Sequence, residues 1–102
     1  MQPKGLQFLV VIKSFAHKGL ERFYRTGSKA GIQARHATRL RLILTNLDQA
    51  GRAEDMDLPG LALHALKGNR REEWAVKVSA NWRVTFRFVG QNPADVTYED
   101  YH

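Results

Sequence analysis

The stretch Trp74-Ala75-Val76-Lys77-Val78-Ser79-Ala80-Asn81-Trp82-Arg83-Val84-Thr85-Phe86-Arg87-Phe88 decides the fold. Val76, Val78, Trp82, Val84, Phe86 and Phe88 share one parity, while Lys77, Ser79, Arg83, Thr85 and Arg87 take the other. Period two marks strands with one apolar and one polar face. A run from 74 to 88 exceeds the usual strand, so a tight turn at Ser79-Ala80-Asn81 divides it. Downstream, Gly90 to Pro93 reads as the next turn and Asp95 to Glu99 as the last strand. Upstream, Ala62 to Leu66 reads as a short strand. The second half of the chain is therefore an antiparallel meander.

The first half changes period. From Gln33 to Gln49, the apolar residues Ala37, Leu40, Ile43, Leu44 and Leu47 recur at three- and four-residue steps, which predicts a helix ending at Gly51. Arg35, His36, Arg39 and Arg41 lie mainly off that stripe. A shorter helix is expected over Ser14 to Tyr24, with Gly27 as its C-cap. Gly19 should weaken it by roughly 1 kcal/mol relative to Ala. Phe8 to Lys13 reads as a strand, and Glu54 to Gly60 as a loop or a single short turn, anchored by Leu58 and Leu61. The expected architecture is α+β, with an N-terminal strand and two helices packed on one face of a mainly antiparallel sheet. The other face is left to be wetted or to bind something.

With 102 residues the chain fits one domain. It has no cysteine, which excludes disulfide scaffolds, thiolate metal sites and cysteine nucleophiles. No apolar run approaches the ~20 residues that span a bilayer. The longest, Phe8-Leu9-Val10-Val11-Ile12, lacks a following small-residue cleavage site, so the default location is cytoplasmic. The formal net charge is +6, unevenly spread: +8 over residues 1–45, −3 over 46–66 and +1 over 67–102. Such a gradient points to a polyanion, RNA or DNA before membrane; a soluble protein with a basic surface is the plainer reading.

There is no P-loop, no Gly-x-Gly-x-x-Gly and no His-Glu-x-x-His, and His17, His36, His64 and His102 form no metal-ligand spacing. An enzyme built on this chain would work without metal or organic cofactor. The remaining polar set is His64, Lys67, Arg70, Arg71, Arg83, Arg87, Asp100, Tyr101 and His102. Histidine, lysine, arginine and tyrosine can move protons and hold a charged phosphorane, which is what RNA cleavage by its own 2′-hydroxyl requires. Each has a plainer reading. His64 and Lys67 fit a surface histidine and a strand-end lysine. Arg83 fits a solvated face with cross-strand ion pairs, and the tail fits a core Tyr98 followed by frayed residues. Lys18, Arg22 and Arg25 on the first helix are candidates for contacting a nucleic-acid backbone. So are Arg35, Arg39 and Arg41 on the second, and Arg70, Arg71, Lys77 and Arg87 around the sheet.

Four blocks carry a resemblance: Ile12-Lys13-Ser14-Phe15; Leu63-His64-Ala65-Leu66-Lys67-Gly68-Asn69-Arg70; Asn81-Trp82-Arg83-Val84-Thr85-Phe86; and Tyr98-Glu99-Asp100-Tyr101-His102. In this order the chain resembles HigB-type toxins of bacterial toxin–antitoxin systems, within the wider RelE/ParE superfamily, over about residues 11–102. The resemblance implies a ribosome-dependent mRNA endoribonuclease that halts translation. It implies neutralisation by a HigA-type helix-turn-helix antitoxin, with operator DNA bound only through the toxin–antitoxin complex. His64, Lys67, Arg83, Asp100, Tyr101 and His102 match the family's catalytic positions. The expected chemistry is metal-independent, with Lys67 and Arg83 on the phosphorane and His102 or Asp100 on the protons. His64 is a second proton-handling candidate, and Tyr101 stacks or orients the nucleotide. Ser79 stands where some relatives have an arginine, and Lys77 or Arg87 would have to compensate. Residues 1–10 read as an extension before a single domain, 11–102, with Val11 where the family places its first methionine. Two other readings stay open: a binding module that does not cut, and a gyrase-targeting toxin of the same superfamily.

Overall fold

The computed structural model describes residues 11–101. Among the described residues two helices precede the sheet, α1 (Lys18–Thr26) and α2 (Ala37–Leu47). Four strands follow: β1 (His64–Ala65), β2 (Trp74–Lys77), β3 (Trp82–Val89) and β4 (Asn92–Asp100). They form one antiparallel sheet in the order β1-β2-β3-β4, the expected meander. The 79–81 turn divides β2 from β3. The last strand is longer than the Asp95–Glu99 expected, because Pro93 enters it, and it accommodates Asp95 (φ +53°) where the register with β3 shifts.

The apolar parity of the meander points inward. Val76, Val84, Phe86, Val96 and Tyr98 join Leu20 and Phe23 of α1 and Leu40, Ile43, Leu44 and Leu47 of α2 in a single core. The α2 stripe is buried as its spacing predicts, and Leu61 is fully buried at the end of the loop. The α+β architecture with helices against an antiparallel sheet is borne out.

Four local expectations shift. The Phe8–Lys13 strand falls partly on residues 8–10, outside the described residues; residues 11–13 are not in a strand. Instead the chain runs beside β4 through a parallel bridge at Phe15–Val96. The Ala16 amide donates to the Val96 carbonyl (2.8 Å) and the Val96 amide to the Ser14 carbonyl (3.1 Å). Residues 14–16 are thus committed to β4, so α1 starts at Lys18, not Ser14. His17 caps it, its Nδ1 accepting from the Leu20 amide at 2.9 Å, and Gly27 ends it in a left-handed conformation, φ +81°. The start of the second predicted helix tightens into a 3₁₀ turn over Ala34–His36. Finally, His36 is buried, not off the core. Its Nδ1 and the Tyr98 hydroxyl share a hydrogen bond at 2.6 Å, and that hydroxyl also accepts from the Gln33 amide at 3.3 Å. Burial first, then the Arg35 charge, hold the His36 imidazole below its ordinary pKa. Tyr98 also packs against Trp82 and His17, with ring centroids 4.5 and 5.5 Å apart.

Candidate functional site

Strand register builds the site. Lys77, Arg83 and Glu99 face one another across β2, β3 and β4, and His64, Ala75, Thr85 and Thr97 form the next row. Residues paired directly across a sheet point to the same side. His64, Lys77, Arg83 and Glu99 therefore share the face opposite the core, while their chain neighbours Trp82 and Tyr98 pack behind them. Tyr101 follows Glu99 by two residues, and its amide donates to the Asn81 carbonyl at 2.9 Å. That bond holds its ring beneath Arg83, whose guanidinium carbon lies 4.4 Å from the ring centroid.

This face is not simply wetted. Thr85 is fully buried, and the Arg83 side chain is only 15% exposed. Arg83 makes a cross-strand ion pair with Glu99, Nη2 to Oε2 at 2.7 Å and Nε to Oε2 at 2.8 Å. A second arginine joins it. After β1 ends at Ala65, the chain turns at Gly68–Arg70 and returns Arg70 beneath the sheet face. Arg70 donates to Glu73 at 2.8 Å, to Glu99 at 3.0 Å and to Thr85 at 3.4 Å. Its pKa is driven upward by the bonds to Glu73 and Glu99. Burial alone would raise the Glu99 carboxyl; the hydrogen bonds from Arg70 and Arg83 outweigh it and hold the group below the usual carboxylate range. Glu73 and Glu99 were not singled out from the sequence, since only the register reveals that they meet the two arginines.

The other candidates fall as follows. His64 is exposed, its Nδ1 3.1 Å from the Ala62 carbonyl. Lys67 is exposed and extended at the entry to the Gly68–Arg70 turn. Asp100 is exposed and pairs with Trp82, one alternation step away from the Arg83 face. His102 lies outside the described residues. Lys18, Arg22, Arg25, Arg35, Arg41, Arg71 and Lys77 are exposed. Arg25 pairs with Glu21, and Arg41 lies over the Phe23 ring. Arg87 is bound to Asp95 at 2.6 Å. Arg39 donates to the carbonyls of Gly60 and Lys77, clamping α2 to the loop and to β2. Among the described residues no group of three or more His, Cys, Asp or Glu could hold a metal ion, and no helix is long and apolar enough to cross a membrane.

Glu99 takes two of the five N–H groups of Arg83. Among the described residues nothing else accepts from it, so three donors remain for an anion. Oriented guanidinium donors on an aromatic platform are suited to a phosphate beside an unstacked base.

The fold is similar to that of a YoeB/ParE toxin from Agrobacterium tumefaciens, with a TM-score of 0.55 and 21% identity over 89% of this chain and 99% of that one. Residues 13–102 match the model of the RelE-like toxin of type II toxin-antitoxin system HigB, and the chain belongs to that family. It is 38% identical over 92 residues to an endoribonuclease HigB from Proteus vulgaris, covering 90% of this chain and all of that one.

Proposed function

We propose that this protein is a ribosome-dependent mRNA endoribonuclease that inhibits translation and is neutralised by a HigA-type helix-turn-helix antitoxin. The reading rests on one observation: Arg83, with three donors unused among the described residues, is stacked on Tyr101 on the sheet face that His64 shares. The alignment with the whole length of an endoribonuclease supports it.

A base removes the 2′-hydroxyl proton and the 2′-oxygen attacks the adjacent phosphorus. The bond from phosphorus to the 5′-oxygen breaks, and an acid protonates that oxygen. The products are a 2′,3′-cyclic phosphate and a 5′-hydroxyl end. Arg83 and Lys67 stabilise the phosphorane, where charge is greatest. Asp100 or His102 moves the protons, with His64 as the alternative. Tyr101 stacks the nucleotide. Because the face is shallow, the ribosome holds the RNA in place, and the basic helices face ribosomal RNA.

The test is primer extension on translating ribosomes incubated with purified protein in EDTA. Site-specific scission, abolished by Lys67→Ala or Arg83→Ala, is expected. Intact mRNA with bound protein would favour a binding module, and DNA breaks with gyrase would favour the third reading. Either defeats the proposal, as does parental cutting by Arg83→Ala.

A further inference from the structure

We propose that Glu99 is the positioning residue of this site: its single carboxylate orients Arg83 directly and, through Arg70, the turn that carries Lys67. The catalytic consequence rests on the endoribonuclease reading; the placement of the two arginines does not.

Glu99 Oε2 receives Arg83 Nε and Nη2 and also Arg70 Nη1, at 2.7 to 3.0 Å, while Oε1 takes Arg70 Nη2 at 3.3 Å. Two guanidinium groups brought to one carboxylate repel each other, and the shared anion makes their approach favourable. The pairing also sets orientation. With Nε and one Nη2 hydrogen held by Glu99, the Arg83 plane is fixed against the Tyr101 ring and its remaining N–H edge faces away from the carboxylate. The second arm is longer. Arg70 ends the Gly68–Arg70 turn, and Lys67 immediately precedes it. Arg70 is held by Glu99, Glu73 and Thr85, so the turn is tied to β3 and β4 and not only to its own strand. The distance between the two phosphate-holding cations therefore depends on an acid that touches neither substrate nor Lys67. The pair is part-buried, with Glu99 27% and Arg83 15% exposed, so loss of the carboxylate also leaves a part-buried guanidinium unpaired. Thermal melting of the variants separates a role in orientation from a role in folding.

The experiment uses the full chain carrying Glu99→Gln, Glu99→Asp and Arg70→Ala. The readouts are single-turnover cleavage on programmed ribosomes, apparent ribosome affinity, thermal melting and the Arg83 Nε–H signal in a nitrogen–proton NMR spectrum. In Glu99→Gln, cleavage at saturating ribosomes should fall at least tenfold, with affinity within about twofold and the Arg83 signal lost or shifted upfield. Glu99→Asp, which keeps the charge, should recover part of both. Arg70→Ala should slow cleavage but leave the Arg83 signal in place, since that arm acts through Lys67. Parental cleavage and an unchanged Arg83 signal in Glu99→Gln would overturn the proposal. If Glu99→Gln fails to fold, Glu99→Asp and Arg70→Ala decide by the same two readouts. Should the parental protein cut no mRNA, the endoribonuclease reading fails, and the NMR arm alone still tests whether Glu99 orients Arg83.

Discussion

Replacing Gly19 by alanine should destabilise the protein, although helix propensity says the reverse. Gly19 lies in the first turn of α1, where alanine is favoured over glycine by roughly 1 kcal/mol. A Cβ at this position would sit 2.3 Å from the Gly31 carbonyl oxygen and 2.8 Å from the Gly31 Cα and carbonyl carbon. Ordinary heavy-atom contacts lie near 3.5 Å, so helix and loop would have to separate by about 1 Å. The clashing atoms are backbone, and no side-chain rotation relieves them. Overpacking of this kind costs about 1–3 kcal/mol. After the propensity gain, a net loss of up to about 2 kcal/mol remains, which lowers the melting temperature by up to about 15 °C in a domain of this size.

The assay is urea and thermal unfolding of Gly19→Ala beside Lys18→Ala, an exposed change one residue away that should be close to neutral. Gly31→Ala should behave like Gly19→Ala, because its Cβ would sit 2.4 Å from the Gly19 Cα. A Gly19→Ala protein that unfolds at or above the parental midpoint would show that the loop yields freely and that the close approach has no energetic weight.

Tyr98→Phe should cost about 1–3 kcal/mol in urea unfolding, since it strips a buried imidazole nitrogen and the Gln33 amide of their shared partner. Arg39→Ala should cost about 1–2 kcal/mol and speed amide exchange at Lys77, whose amide bonds to the Leu61 carbonyl beside the clamp. His36 sets a pH dependence. Its folded pKa is depressed, so the unfolded chain takes the proton first; stability is full above about pH 6.5 and declines as pH falls from there toward the folded value. Unfolding at pH 7.5 and pH 5.5 should show that loss in the parental protein and a smaller one in His36→Asn; an equal loss in both would assign it to other groups.

What could be read from the sequence was local. The parity of Val76 to Phe88 and the spacing of Ala37 to Leu47 are each set within one element, and both led to the observed strands and helix. The misreadings come from partners far along the chain. Ser14 to Ala16 look helical until Val96 takes their hydrogen-bonding groups. His36 looks like a polar residue beside a helical stripe, and only Tyr98 makes it a core residue. Gly19 looks like a helix weakness, whereas Gly31 makes it a requirement. At the site, residue type and resemblance point to His64, Arg83 and Tyr101. Arg70 and Glu99 share no local pattern, because their meeting depends on a cross-strand register that no short stretch encodes.

On the proposed endoribonuclease reading, the charge arrangement separates reaching the RNA from acting on it. Arg70 and Arg83 are matched by Glu73 and Glu99, so that cluster is near neutral as a unit and presents a phosphate with oriented donors more than with a field. The long-range attraction comes from the exposed cations Lys18, Arg22, Arg35 and Arg41 on the helix side and Arg71 and Lys77 near the sheet. Exposed charges are screened by salt far more than part-buried contacts, and each phosphate they neutralise adds about 0.7–0.9 to the log–log salt slope of binding. Apparent affinity for ribosomes should therefore fall steeply between 50 and 200 mM salt (about the range over which several phosphate contacts lose most of their strength). The cleavage rate at saturating ribosomes should change much less. Substituting Arg22 and Arg41 by glutamine should flatten the affinity slope and leave the saturated rate alone. A saturated rate that falls with salt as steeply as affinity would mean that the Arg83 contact is itself a screened surface charge, contrary to its 15% exposure and its pairing with Glu99.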